Sequence, residues 1–132
     1  KNPITKSQSL EITDHIVQEV LESLEKFESS KGYLSKSITL NTLSKDCHTN
    51  STYLSNIINH VKQVNFSAYL RDLRITNAIN EIKQDKEFLK YSINGLADEF
   101  GFSTADAFSN AFREKTGIKP SYFLAKLRKE KA

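Results

Sequence analysis

The sequence predicts an all-α fold: two helix-turn-helix subdomains joined by a long linker helix, with an extra helix in front. Three observations predict it. Gly and Pro are scarce, four and two in 132 residues, too few for the many turns of an all-β domain. Apolar residues recur at spacings of three and four along most of the chain, the period of a helix with one buried face. And a pair of short helices around a tight turn occurs twice, once on each side of a longer helix.

The first helix is expected over residues 9–29, where Ile12, Ile16, Val20, Leu24 and Phe27 make one apolar stripe. Thr13 and Asp14 suit its first turn, Lys26 its end, and Gly32 breaks it. Tyr33 and Leu34 follow as plugs against the core. Thr39 is placed as the cap of a helix of about two turns carrying Leu40, Leu43, Ser44 and Cys47. His48, Thr49 and Asn50 read as a turn, after which Asn50 or Ser51 caps a helix with Tyr53, Leu54, Ile57, Ile58 and Val61. Asn65 or Ser67 starts the long helix, which runs to about residue 84 with Phe66, Leu70, Leu73, Ala78, Ile79 and Ile82 on one face. The stretch 85–91 reads as a polar connection. Ser92 caps a short helix over 93–100 with Leu96, Ala97 and Phe100 inward, and Gly101 is its left-handed terminator. Ser103 is expected to cap residues 105–116, with Phe108, Ala111 and Phe112 inward and Gly117 as the stop. Pro120 suits the first turn of a last helix carrying Tyr122, Phe123 and Leu127. The organisation is thus 1–37, N-terminal helix and loop, followed by 38–132. The latter divides into a first helix-turn-helix (38–64), the linker helix and connection (65–91), and a second helix-turn-helix with the C-terminal helix (92–132).

The two short pairs repeat one another. Leu43-Ser44 and Cys47-His48 align with Leu96-Ala97 and Phe100-Gly101. After a one-residue offset, Leu54-Ser55-Asn56-Ile57-Ile58 aligns with Phe108-Ser109-Asn110-Ala111-Phe112. A small residue follows leucine in both units, where two helices must approach closely. Apolar positions would repeat in any two-helix unit, whereas an outward Ser-Asn pair is less expected from packing. Roughly 18 residues of linker helix span about 27 Å, close to the roughly 34 Å of one DNA turn. Such a helix could hold two recognition helices on one face of a duplex, in successive major grooves.

With these residues in view, the chain resembles the DNA-binding domain of the AraC/XylS family of bacterial transcription regulators. Ser92-Ile93, Leu96-Ala97, Phe100-Gly101-Phe102, Phe108, Ala111-Phe112-Arg113, Gly117 and Pro120-Ser121-Tyr122-Phe123 follow that family's signature in order and spacing. The first unit matches through Ile38-Thr39-Leu40, Leu43-Ser44, Tyr53-Leu54-Ser55 and Ile57-Ile58, and Arg74-Ile75 with Ala78 resembles the family's linker helix. The match covers about two thirds of the chain, residues 38–127. His48 stands where glycine is common, yet a non-glycine residue can adopt positive φ there at modest cost. The N-terminal helix lies outside the signature. Its style is similar to versions of the domain at the C-terminal end of larger sensory proteins in Bacteroidetes-like bacteria.

The resemblance implies sequence-specific binding of double-stranded DNA, with the second helix of each unit in a major groove. The outward residues of that helix are Ser51, Thr52, Ser55, Asn56 and Asn59 in the first unit, and Thr104, Ala105, Asp106, Ser109, Asn110 and Arg113 in the second. Asn pairs bidentately with adenine, Ser and Thr read less discriminately, Asp accepts from cytosine, and Arg reaches guanine or a phosphate. Helix starts at Thr39, Ser51, Ser92 and Ser103 offer backbone N–H groups to phosphates. Lys62, Lys115 and Lys119 are the phosphate neutralisers. The bland reading of the Ser, Thr and Asn positions is a solvated helix surface. RNA polymerase and a sensory or oligomerising part of the same parent chain are the further implied partners. The chain begins at Lys1 and holds no methionine, so it is read as the output part of a longer regulator whose remaining part precedes Lys1.

Composition bounds the alternatives. Hydrophobic residues make up 38% and charged residues 27%, and mean hydropathy is −0.50, which suits a soluble globular domain in the cytoplasm without membrane contact. Net charge is +3, but residues 1–40 carry five Lys and six acids while 41–132 carry fourteen Lys/Arg and ten acids. The basic end, from Arg113 through Lys131, fits a polyanionic partner. Cys47 is the one cysteine, so it is expected as a small buried hydrophobe, and His15, His48 and His60 lack metal-ligand spacing. No nucleophile elbow, phosphate loop or carboxylate pair stands in the sequence. No cofactor, no metal and no catalysis are therefore expected. The alternative to DNA binding is a helical protein-interaction module that has lost specific DNA binding.

Overall fold

The computed structural model describes residues 6–130, with side chains from Asp14 onward. Seven α-helices are present among them: α1 (Lys6–Ser29), α2 (Leu40–Asp46), α3 (Ser51–Lys62), α4 (Phe66–Gln84), α5 (Ile93–Glu99), α6 (Ala105–Thr116) and α7 (Pro120–Glu130). Short 3-10 turns cover Gly32–Leu34 and Lys86–Lys90. No strand occurs among the described residues, and no helix is long and apolar enough to cross a membrane. Contacts divide the chain into two compact units. One holds the described residues up to Gly32 together with Ile38–Phe66, and the other Tyr33–Ser37 together with the described residues from Ser67 on.

In the first unit α1 contributes the buried Val20, Leu24 and Phe27, α2 with its C-cap Leu43, Ser44 and Cys47, and α3 Leu54, Ile57 and Ile58. The stripe expected on α1 is therefore the buried one, with Ile16 half-buried. Ile12 and Thr13 of that expectation lie outside the described side chains, as Lys131 lies outside the described residues. The helix ends differently from expectation. Lys31, not Gly32, takes the left-handed conformation, with φ of 59°. Gly32 serves clearance instead: a Cβ there would stand 2.7 Å from the Phe27 ring. Ser44 is 1% exposed, and its hydroxyl donates to the Asn41 carbonyl at 2.7 Å, so the polar atom is satisfied where a close helix approach needs a small residue. Burial pushes the Cys47 thiol above its ordinary pKa, and the neighbouring Asp46 carboxylate adds to this.

The core of the second unit joins Ile75, Ala78 and Ile82 of α4 with Leu96 and Ala97 of α5, Phe108, Ala111 and Phe112 of α6, and Leu124 of α7, with Phe100 and Phe102 between. Its phenylalanines form a chain of ring contacts: Phe102 to Phe108 at 5.5 Å, Phe108 to Phe112 at 6.0 Å and Phe112 to Phe123 at 5.1 Å. All lie in the range where edge-to-face and tilted pairs attract. Two expectations are corrected here. The 85–91 stretch is not merely polar: Asp85 caps a 3-10 turn through the Glu87 N–H, and that turn packs Phe88 and Leu89 on the core, with Phe88 5.2 Å from Phe100. On α7, of the apolar residues expected, Phe123 and Leu127 are half-buried and Tyr122 is 51% exposed, while Leu124, absent from that expectation, is 2% exposed and carries the inward face.

Arg74 ties this unit to its own N-terminal strap. Its Nε donates to the Tyr33 carbonyl at 2.6 Å and its Nη2 to the Ser35 carbonyl at 2.9 Å. Burial lowers its pKa from the ordinary arginine value. Gly101 lies against the same strap with φ of 87°, and a Cβ there would stand 3.0 Å from the Leu34 carbonyl oxygen and 3.1 Å from Arg74 Nε.

Candidate nucleic-acid interface

The two short pairs are alike down to the backbone. Both α2 and α5 have seven residues, and both α3 and α6 have twelve. Each first helix closes with the same long-reach bond: Thr49 N–H donates to the Ser44 carbonyl and Phe102 N–H to the Ala97 carbonyl, both at 2.9 Å. Those carbonyls belong to the small residues that follow leucine in each unit. The bend passes through a left-handed residue, His48 with φ of 58° in one unit and Gly101 with φ of 87° in the other. His48 thus takes the turn conformation that glycine takes in its counterpart, which a non-glycine residue tolerates singly.

The starts of the second helices differ from part of the expectation. Asn50 caps α3, accepting from the Tyr53 N–H at 2.8 Å, and Ser51 is the first helical residue. Thr104, not Ser103, caps α6, accepting from the Ala107 N–H at 3.0 Å. The expectation for Ser103 is corrected because a cap must stand immediately before the first helical residue with extended backbone, as Thr104 does at φ −141° and ψ 158°. Thr39 and Ser92 cap α2 and α5 as expected, through the N–H groups of Thr42 and Gly95.

On α3, Thr52, Asn56 and Asn59 are exposed, and Ser51 and Ser55 half-buried. On α6 and its cap, Thr104, Asp106, Asn110 and Arg113 are exposed, and Ala105 and Ser109 half-buried. None of the eleven side chains assigned to base and groove contact is buried, and each set shares one helix of its own unit. Asp106 also occupies the first turn of α6, where a carboxylate complements the positive end of the helix whatever it touches outside. His60 is also exposed on α3, one turn beyond Asn56 and on the same side of the helix by its i+4 spacing, a surface position the metal-ligand spacing of histidines does not reveal.

The cationic positions divide. Lys62 pairs with Glu28 at 3.3 Å and Lys115 with Asp72 at 2.9 Å, so both already have carboxylate partners. Such surface pairs are weak, roughly 0–1 kcal/mol, and a phosphate competes with them readily. Lys119 and Arg113 make no ion pair among the described residues. The structure brings these two together with Asn110, Ser109 and Ser121 around a cavity of about 150 Å³ between α6 and the start of α7. A larger cleft of about 450 Å³ runs between α4 and α6, where Ser103 and Asn110 meet Ser67, Arg71 and Arg74 of α4. Arg71 and Ser67 were not foreseen as site residues. A lone cation on the linker helix carries no pattern until α6 is laid beside it. Arg71 faces Glu114 at 3.6 Å.

Comparison with known proteins agrees with this architecture. A family model described as a helix-turn-helix domain matches residues 43–126. No curated protein sequence matches the chain. Among solved structures, the C-terminal domain of AraT, a response regulator from Geobacillus stearothermophilus, superposes with a TM-score of 0.64 at 22% identity, over 82% of this chain and 84% of that one. The DNA-binding domain of AdpA, a global transcriptional factor solved in complex with a target DNA, gives 0.66 at 17% identity over 84% and 94%. A transcriptional regulator with an AraC-type DNA-binding domain from Chromobacterium violaceum gives 0.65 at 18% identity over 83% and 91%. At these identities the likeness is one of fold.

Proposed function

We propose that this chain, which belongs to the AraC-type helix-turn-helix family, is the sequence-specific double-stranded DNA-binding domain of a bacterial transcription regulator. The observation that carries this reading is the recurrence of one exposed polar helix face in two units of the same build. Asn56 on α3 and Asn110 on α6 stand outward at matching positions, each after a half-buried serine and before a buried apolar residue, Ile57 or Ala111.

Each recognition helix enters a major groove. Asn56 and Asn110, the sixth residues of their helices, offer the paired donor and acceptor that match adenine, Thr52, Ser55 and Ser109 supply adaptable hydroxyls, and Asn59, the ninth residue of α3 as Arg113 is of α6, offers its amide to the backbone. The capped starts of the helices and the basic residues hold the phosphate backbone. Binding is the whole activity. The further partners on this reading are RNA polymerase and a sensory or oligomerising part of the parent chain, and the site of action is the cytoplasm. The domain boundaries proposed from the sequence, 1–37 and 38–132, place α1 outside the DNA-reading part, as a brace of the first unit, with which it shares a contact unit.

The test is selection of bound duplexes from a random pool, followed by anisotropy titrations over a salt series. Selected duplexes should bind at least a thousandfold more tightly than random DNA, with affinity falling steeply as salt rises. Enrichment of no sequence, together with recovery of a stable protein partner, would overturn the reading in favour of a protein-interaction module. Within the site, Asn56→Ala should cost about 1–3 kcal/mol on the selected duplex and relax preference at one position. An equal loss on random DNA removes Asn56 from base reading.

A further inference from the structure

We propose that the small cavity between the C-terminal half of α6 and the start of α7 seats one phosphodiester of the DNA backbone, and that Arg113 anchors there and does not read guanine. The inference rests on the DNA-binding reading and specifies which part of the ligand this site takes. Arg113 and Lys119 both line the cavity, with the amide of Asn110 and the hydroxyls of Ser109 and Ser121 beside them, and no carboxylate shares its lining. Elsewhere on this unit Lys36, Arg71, Lys90 and Lys115 each stand against an acid. Arg113 and Lys119 are exposed and make no such pair among the described residues; Lys83, Lys86, Lys126, Arg128 and Lys129 make none either, and what sets Arg113 and Lys119 apart is that the two line one cavity together.

Two further facts point to an acceptor-only anion. Thr39, Asn50, Ser92 and Thr104 precede α2, α3, α5 and α6, and each offers a side-chain oxygen to its own helix. The residue before α7 is Lys119, whose carbonyl accepts from the Phe123 N–H at 3.2 Å and whose side chain has no acceptor to give. A cation at a positive helix end is unfavourable alone and becomes favourable once an anion lies between. Arg113 is also the ninth residue of a twelve-residue helix. Base edges are met by the N-terminal residues of a recognition helix, and Arg113 lies about 12 Å along the axis from the start of α6. A phosphate engages all five polar residues of the lining, two cations and three neutral donors, while Ile93 and Pro120 form the apolar part of the wall. A guanine edge would occupy Arg113 alone and leave Lys119 uncompensated beside it.

The test compares the unaltered chain with Arg113→Gln, Lys119→Gln and the double variant on a selected duplex and an unrelated one, across a salt series. Both side chains are exposed, so thermal midpoints should match and certify folding. Each substitution should weaken both duplexes by the same factor. The double variant should lower the magnitude of the salt slope by about 0.9, the worth of one phosphate, so that between 50 and 200 mM salt its disadvantage shrinks about threefold. A duplex with one methylphosphonate linkage at that phosphate should abolish the effect of both substitutions. A slope loss near 1.8, with different linkages silencing the two variants, would mean two phosphates and no shared seat. A loss confined to one base position for Arg113→Gln would make Arg113 a base reader. Unchanged affinity and slope would leave the cavity outside the interface. If the unaltered chain shows no salt-sensitive binding at all, the DNA-binding reading falls, and this inference with it.

Discussion

Two glycines of the second unit separate backbone strain from crowding, and substituting each by alanine measures both. Gly101 and Gly117 have nearly equal left-handed conformations, φ 87° and 81°. At Gly117 a Cβ meets nothing within 4 Å, whereas at Gly101 it meets the Leu34 carbonyl oxygen at 3.0 Å, Arg74 Nε at 3.1 Å and Leu34 Cα at 3.2 Å. Gly117→Ala therefore pays only for forcing an L-residue into the left-handed region, about 1 kcal/mol. Gly101→Ala pays the same and also displaces backbone, which cannot swing aside like a flexible side chain. Overpacking of this kind adds about 1–3 kcal/mol, for a total of about 2–4 kcal/mol. The strap it pushes is the one Arg74 holds through two carbonyls, so displacement loosens those bonds too. Urea unfolding followed by far-ultraviolet circular dichroism suits a chain without tryptophan. In heat unfolding followed the same way, the thermal midpoint should drop by roughly 3–5 °C for Gly117→Ala and at least twice that for Gly101→Ala. Equal losses at the two positions would refute the assignment of Gly101 to close approach and leave its φ as the whole reason for glycine.

Five further substitutions test the local assignments. Thr104→Ala should cost about 1 kcal/mol of stability through loss of the α6 cap, and Ser103→Ala close to nothing; the reverse order in denaturant midpoints would restore Ser103 as the cap. Leu124→Ala should cost about 2–5 kcal/mol as a core deletion, while Tyr122→Ala stays within about 0.5 kcal/mol, which thermal melts of the pair decide. Cys47 holds its proton more tightly when folded than the ordinary thiol value of 9.0, because burial and then Asp46 disfavour the thiolate. Its contribution to stability is complete below that ordinary value and is lost as pH rises from there through the raised folded value, since the unfolded chain sheds the proton first. Urea midpoints measured between about pH 8 and 10 should fall less for Cys47→Ala than for the unaltered chain.

Most of the fold was legible because its signals are local. Thr39, Ser92, Gly101, Gly117 and Pro120 punctuate helices by their own chemistry, and each stands where its chemistry places it. What escaped needed a neighbour. Phe88 and Leu89 sit in a polar stretch too short for any period, and only the approach of Phe100 makes them core. Tyr122 and Leu124 stand two residues apart and so point to opposite sides of α7, and the packing of that helix against Phe112 through Phe123 decides which side is inward. Ser103 and Thr104 are both good caps, separated only by where extended backbone ends. The same limit governs the interface. Which residues point outward follows from helix period, but whether a lysine is free does not. Lys62 and Lys115 look equivalent to Lys119 in sequence, yet they meet Glu28 and Asp72, distant in the chain by 34 and 43 residues.

The recurring Ser-Asn pair becomes sharper once burial is known for each member. Ser55 and Ser109 are half-buried, and Asn56 and Asn110 are exposed. A small residue at the first position is what close packing beside Leu54 or Phe108 would select in any case, so serine there carries little functional weight. Asparagine at the second position has no such reason. It caps nothing in mid-helix, it is a mediocre helix former, and at neither site does it make a side-chain hydrogen bond among the described residues. A residue that costs helix stability twice, at matching exposed positions, and makes no hydrogen bond inside the fold is what the proposed DNA-reading role would select. Asparagine alone among the outward residues of both helices can present a donor and an acceptor side by side, the pattern of an adenine edge. The functional weight of the repeat therefore rests on Asn56 and Asn110. Asn110 also borders the cavity proposed to seat a phosphate, so under the proposed reading base reading and backbone anchoring would meet within one turn of α6.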